Sequence, residues 1–141
     1  MPAQPIPPDD VFLGTWVLQP AQSQYAFGQP PKTGTYQVSA LGHQYRMDIR
    51  WTDASDNPFE TAYQSTPDGV VYPFEGSPAV DAVCTTRVDE RTLDSVSYKG
   101  DVEIAHARRV LSEDGQSMAV TQSGITPEGK TFHNVSVYKK Q

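Results

Sequence analysis

Hydrophobic and polar residues alternate along much of the chain, and this alternation predicts β-strands. In Tyr45–Trp51 every odd position is large and apolar, while every even position is charged. A period of two places one set of side chains in a core and the other in solvent. The same pattern predicts strands at Leu13–Gln19, Gly34–Ala40, Phe59–Ser65, Val70–Tyr72, Val83–Val88, Thr92–Tyr98, Val102–Leu111, Ser117–Gly124 and Thr131–Lys139.

Turn-forming residues separate these strands at fairly regular intervals, as at Leu41-Gly42, Thr66–Gly69 and Lys99–Asp101. Short, evenly spaced strands with no helical segment between them are typical of antiparallel sandwiches and up-and-down barrels. We therefore expect an all-β fold, an antiparallel meander of eight to ten strands closed into a barrel. Two stretches without alternation, Pro20–Lys32 and Pro73–Asp81, are expected to form loops over one mouth of that barrel.

The composition supports the same fold class. Val, Thr and Ile together provide 30 β-branched residues against 5 Leu, and β-branched side chains favour strands over helices. A chain of 141 residues is long enough for one domain with its own core. Residues 1–10 contain four Pro and no alternation, so we expect a flexible lead there and a single barrel domain over residues 11–141.

The net charge and the cysteine content limit the binding partners and the cellular compartment that we expect. A net charge of −6 without a basic cluster argues against nucleic acid, and no apolar run is long enough for a membrane span. The single cysteine, Cys84, excludes an intrachain disulfide. We expect a cytoplasmic protein, with a periplasmic or secreted mature form also open.

Few residues support catalysis or metal binding. His43, His106 and His133 lie on separate predicted elements without metal-ligand spacing, so neither a metal nor a cofactor is expected. The sequence also lacks a nucleophile elbow, a phosphate loop and a dinucleotide fingerprint, and no catalytic residue can be assigned.

The first predicted strand carries a family resemblance. Gly14-Thr15-Trp16 resembles the opening Gly-x-Trp of the calycins, the lipocalins and fatty-acid-binding proteins. The chain is also similar to bacterial lipocalin-like proteins of unassigned function, through this motif with Pro20–Ser23, Tyr72-Pro73 with Gly76–Pro78, and Val120–Gly124. The resemblance implies a barrel whose cavity holds a small apolar molecule, with Trp16 plugging the closed end. Of the Arg-x-Tyr on the last strand of fatty-acid-binding proteins, only Tyr138 is present.

The residues expected to line the lumen are the candidates for ligand binding. They are Tyr36, Tyr45, Met47, Trp51, Tyr63, His106, Arg108, Gln122, Asn134 and Tyr138. His106 and Arg108 share a strand face with three β-branched apolar residues, and the pattern leaves two orientations open. If that face points inward, Arg108 needs a carboxylate from the protein or from a ligand. If it points outward, both side chains are solvated.

Three functions remain open from the sequence. The first is binding, in the lumen, of a small apolar molecule that carries a carboxylate or carbonyl. The second is a cofactor-free enzyme, a cyclase or isomerase, in which His106 and a tyrosine transfer protons. The third is a filled barrel that acts as an interaction protein. A lumen larger than roughly 300 Å³ would favour the first two.

Overall fold

The computed structural model describes residues 5–26, 30–74, 80–126 and 128–141, which form ten β-strands and one short 3-10 helix, Pro20–Gln22. The strands are β1 (Gly14–Leu18), β2 (Thr33–Leu41), β3 (Gln44–Thr52), β4 (Pro58–Ser65), β5 (Asp68–Pro73), β6 (Ala82–Asp89), β7 (Thr92–Lys99), β8 (Val102–Leu111), β9 (Ser117–Ile125) and β10 (Thr131–Lys140). Each coincides, within a few residues, with a strand that the alternation predicts. In the described part of the chain, no helix is long and apolar enough to cross a bilayer.

All ten strands belong to one antiparallel sheet, in the order β4-β3-β2-β1-β10-β9-β8-β7-β6-β5. Each strand pairs with its neighbour in sequence, and β1 also pairs with β10, so the sheet curls around a lumen. This confirms the predicted meander. The two edge strands are β4 and β5, and in the described residues no backbone ladder joins them. We call this gap the seam; there Ser65 Oγ of β4 donates a hydrogen bond to Thr85 Oγ1 of β6 at 2.7 Å.

The core occupies one end of the barrel, which we call the lower end and where the β2–β3, β4–β5, β6–β7 and β8–β9 turns lie. Its largest fully buried side chains are Trp16, Tyr45, Phe12, Met47, Leu93 and Met118. Trp16 is 0% exposed, and its indole N–H donates to the Phe12 carbonyl at 3.0 Å. Trp16 therefore closes the lower end, as the resemblance implies.

The N-terminal segment also covers the lower end. The Asp10 carboxylate accepts hydrogen bonds from the Tyr45 hydroxyl at 2.8 Å and from Arg87 Nη2 at 3.0 Å. The Ile6 amide donates to the Gly42 carbonyl at 2.8 Å. Residues 1–4 of the expected lead lie outside the described residues, whereas residues 5–10 make these contacts with the barrel. Flexibility of the lead stays a prediction.

Strand β8 contains a bulge that determines which of its side chains face the lumen. Ser97 pairs with Ala105 and Tyr98 pairs with Glu103, so Ile104 is an extra residue in β8. One extra residue in a ladder shifts every later side chain to the opposite face. The residues of β8 before the bulge and those after it therefore follow opposite alternations of inward and outward side chains.

Gly124 of the neighbouring strand β9 makes room for this bulge. It pairs with Ala105, and a Cβ atom at Gly124 would lie 2.3 Å from the Ile104 carbonyl oxygen. No other residue could approach the β8 backbone so closely without moving it. The glycine is thus part of the same local feature as the bulge.

Candidate functional site

The upper half of the lumen encloses a cavity of about 420 Å³. This volume lies within the range of small-molecule sites and exceeds the threshold expected for a lumen that binds a ligand. Most of its wall is aromatic or aliphatic, and these residues include Leu18, Tyr36, Ile49, Trp51, Tyr63, Val120 and Tyr138. Tyr25, from the loop after β1, also contributes to the wall, and its hydroxyl is hydrogen-bonded to Ser136 Oγ at 2.8 Å.

Arg109 of β8 places a positive charge in the part of the wall next to the buried core. Arg109 is only 6% exposed. Its Nε donates to the Tyr36 hydroxyl at 3.0 Å, its Nη2 to the Tyr63 hydroxyl at 2.8 Å and its Nη1 to Ser95 Oγ at 3.2 Å. Three strands, β2, β4 and β7, therefore position this guanidinium.

Arg109 has no ion-pair partner among the described residues. A guanidinium carries five N–H donors and stays protonated in proteins. Three of those donors have the acceptors named above, which leaves two N–H groups and the full positive charge beside the cavity. A buried cation without a counter-charge is costly, and such sites are compensated when an anion binds.

Two tyrosines near Arg109, Tyr36 and Tyr138, remain neutral at physiological pH. Burial raises the pKa of Tyr36 well above its ordinary value, although Arg109 acts to lower it. Burial also raises the pKa of Tyr138 to about 12. Their rings pack edge to face, with centroids 5.8 Å apart. Among the described residues that line the cavity, Arg109 is the buried charge, whereas the other charged residue, Arg50, is exposed and lies 3.5 Å from Glu60.

Two solved structures share the architecture over nearly the whole chain. A Schistosoma mansoni fatty-acid-binding protein in complex with arachidonic acid has a TM-score of 0.58 at 13% identity, covering 93% of this chain and 96% of that one. A zebrafish ileal bile-acid-binding protein complexed with cholic acid has a TM-score of 0.56 at 12% identity, covering 93% and 99%. The chain has the calycin fold. No family model and no curated protein matches its sequence, so the calycin likeness is one of fold alone.

His106 and Arg108 lie on the outer face of this calycin barrel. Arg108 donates from Nε and Nη2 to the two carboxylate oxygens of Asp94, both at 2.7 Å, and His106 Nε2 lies 3.6 Å from Asp94 Oδ2. Of the two orientations left open by the sequence, the structure shows the outward one. The lumen candidates His106 and Arg108 are therefore replaced by Arg109, which the sequence interpretation missed.

The bulge explains why Arg109 was missed. Arg109 pairs with Leu93, a core residue, and Arg108 pairs with Asp94. If the ladder ran from the Tyr98–Glu103 pair without the extra residue, Arg108 would stand opposite Leu93 and point inward. Adjacent residues of a strand point to opposite faces, and the inserted residue decides that Arg109 rather than Arg108 faces the lumen. The sequence signals for the correct face were the small residues Ala105 and Ala107 and the apolar Leu111, which share the face of Arg109.

The remaining candidates fall into three groups. The candidates that line the lumen cavity are Tyr36, Trp51, Tyr63, Gln122 and Tyr138. Tyr45 and Met47 are fully buried in the lower core instead, and neither lines the cavity. Asn134 Oδ1 accepts a hydrogen bond from the Ala26 amide at 2.9 Å, so its side chain holds the loop after β1 against β10.

The two predicted loops are only partly described. Residues 20–26 of Pro20–Lys32 pack against β10, where Gln24 bridges to Val135, and Tyr25 faces the cavity. Residues 27–29 of this loop lie outside the described residues, as do residues 75–79 of Pro73–Asp81 with Gly76–Pro78. Within the described ranges, no three His, Cys, Asp or Glu side chains form a group that could hold a metal.

Replacing Arg108 by glutamine is expected to have a small and pH-dependent effect. The Asp94 pKa lies below its ordinary value, chiefly because of the hydrogen bonds from Arg108. Arg108 is half exposed, so solvent screens this ion pair and the loss of free energy of unfolding at pH 7 should be small. A carboxyl group whose pKa is lowered by folding stabilises the fold at every pH above its ordinary pKa, near 4. This stabilisation is lost as the pH falls through the lowered pKa.

Urea denaturation of the wild type and Arg108→Gln across this pH range measures the effect. The difference in free energy of unfolding should shrink steadily once the pH falls below about 4. A difference that stays constant down to full protonation of Asp94 would contradict this account.

Proposed function

We propose that this protein binds a small, mostly apolar carboxylic acid in its lumen. The observation that carries this proposal is Arg109, a buried cation that faces a cavity of about 420 Å³ and has no carboxylate partner among the described residues. A ligand carboxylate would supply the missing negative charge. The planar guanidinium has two remaining N–H groups, and such groups suit a carboxylate geometrically.

The rest of the cavity suits an apolar tail. Its aromatic and aliphatic wall offers contacts of the kind that bury most of a small ligand's surface. Trp51 lies at the upper mouth, stacked on Phe59 with ring centroids 5.5 Å apart. The two calycin structures described above hold arachidonic acid and cholic acid, each of which joins an acid group to a large apolar body. These neighbours support the ligand class, whereas the ligand's identity rests on experiment.

The alternative of a cofactor-free cyclase or isomerase needs a proton-transfer group in the lumen. His43, His106 and His133 are all in the described part of the chain, and none lines the cavity. Tyr36 and Tyr138 have pKa values raised by burial, so neither is a base at neutral pH. The open cavity likewise gives no support to a filled barrel that acts only through its surface. We therefore propose binding.

Calorimetric titration with sodium decanoate and with 1-decanol at pH 7.5 tests the proposal. The two probes have the same chain length and differ in the anionic head. Because hydrogen bonds to charged groups are about twice as strong as neutral ones, decanoate should bind at least about tenfold more tightly than decanol. Equal affinities, or no binding of decanoate, would overturn the proposal.

A further inference from the structure

A row of three hydroxyl groups leads from Arg109 to the seam. Arg109 Nη1 donates to Ser95 Oγ of β7 at 3.2 Å, and Ser95 Oγ lies 3.3 Å from Thr85 Oγ1 of β6. Thr85 Oγ1 in turn accepts a hydrogen bond from Ser65 Oγ of β4 at 2.7 Å. Thr85 and Ser65 are 3% and 6% exposed. The row therefore joins three strands, and its bond between Ser65 and Thr85 crosses the part of the wall that has no ladder.

The three hydroxyl groups carry one more O–H than the two hydrogen bonds between them use. Each hydroxyl carries one O–H. The Ser65 proton is used on Thr85, and one further proton forms the bond between Thr85 and Ser95, whichever of the two donates. One O–H, on Thr85 or on Ser95, is then left without an acceptor among the described residues. A buried donor without an acceptor costs free energy that a ligand oxygen would recover.

A second cavity, of about 260 Å³, lies at the seam beside this row. Ser65, Thr85, Gln44 and Phe74 belong to its wall, and none of the described residues that line it is charged. Tyr63 lines both this cavity and the lumen cavity, and its hydroxyl is bound to Arg109. A ligand carboxylate bound to Arg109 would therefore have the charged guanidinium on one side and the neutral hydroxyl groups beside the seam cavity on the other.

We infer that the ligand is an apolar acid with a neutral oxygen substituent near its carboxyl group, as in a 3-hydroxy acid. Its carboxylate meets Arg109, its neighbouring oxygen accepts the spare proton of the Thr85–Ser95 pair, and its tail fills the lumen cavity. A second carboxylate is disfavoured because the described residues of the seam cavity include no cation. This inference rests on the proposed function and names the class of acid.

The experiment compares 3-hydroxydecanoate with decanoate by calorimetry in the wild type, in Thr85→Val and in Thr86→Val. Valine matches threonine in shape and removes only the hydroxyl. Thr86 is the matched control, because it is the next residue of β6 and is exposed. The 3-hydroxyl oxygen adds one hydrogen bond, which contributes modestly to affinity. The wild type should therefore bind 3-hydroxydecanoate about threefold to tenfold more tightly than decanoate. Thr86→Val should keep this preference, and Thr85→Val should lose it.

The outcomes separate the two proposals. If decanoate binds and the wild type shows no preference for 3-hydroxydecanoate, this inference is wrong and the proposed function stands. A preference that persists in Thr85→Val would also overturn it, because the ligand hydroxyl would then not depend on the Thr85–Ser95 pair. If neither acid binds, both proposals fail together.

Discussion

Arg109→Met is expected to lower the affinity for decanoate by about 30-fold or more. Removing one partner of a buried, hydrogen-bonded charge pair costs ~2–5 kcal/mol, because the other charge is then left without compensation. Here the uncompensated charge would be the ligand carboxylate inside an apolar cavity. Methionine keeps a similar length and fills the space without a donor. Calorimetric titration with decanoate measures the change.

The same variant is expected to unfold no more easily than the wild type. Arg109 is a buried cation without a carboxylate among the described residues, so the cost of holding its charge out of water offsets its hydrogen bonds to the Tyr36, Tyr63 and Ser95 hydroxyls. Urea denaturation of the ligand-free proteins should therefore give a free energy of unfolding for Arg109→Met equal to the wild type or up to ~2 kcal/mol higher. Lower affinity combined with unchanged stability would mark a residue kept for binding.

Arg108→Gln is the matched control for this variant, since Arg108 is the adjacent residue and points outward to Asp94. Its affinity for decanoate should equal that of the wild type. If Arg109→Met lost several kcal/mol of stability yet still bound decanoate, Arg109 would be a structural residue and the lumen acid site would be wrong.

Trp16→Ala is expected to lower the free energy of unfolding by ~3–5 kcal/mol, because removing a large buried aromatic side chain loses its burial and leaves a cavity. Trp16 is 0% exposed at the lower end, and Lys140 Nζ lies 5.5 Å from its ring centroid. The variant also loses the indole hydrogen bond to the Phe12 carbonyl, which closes the barrel beneath the core. Urea denaturation followed by far-UV circular dichroism measures the change.

Trp51→Ala provides the comparison, because the second tryptophan lies at the opposite end of the same lumen. It is partly exposed and stacks on the half-exposed Phe59, so its truncation should cost much less stability, of the order of 1 kcal/mol from the lost ring pair. Since Trp51 lines the cavity, its loss should weaken decanoate binding instead. Equal losses of stability in the two variants would contradict the division into a packed lower end and an open upper end.

The sequence by itself determined the strands and their order. Period-two alternation is a local property, so Tyr45–Trp51 and its counterparts could be assigned without any knowledge of their partners. The turn residues between them, such as Leu41-Gly42, indicated short connections and hence an antiparallel meander. Trp16 was assigned to the core on its motif and its size. Each of these conclusions needs only neighbouring residues in the chain.

The tertiary structure alone decided which face of β8 looks into the lumen. Alternation shows that His106 and Arg108 share one face and that Ala107 and Arg109 share the other, but it does not show which face is buried. That choice depends on register, and the register here is shifted by Ile104, whose bulge is accommodated opposite Gly124 of another strand. A one-residue shift exchanges the two faces completely. The hydroxyl row of Ser65, Thr85 and Ser95 likewise exists only because the curled sheet brings β4 against β6 and β7, and local alternation does not encode that contact.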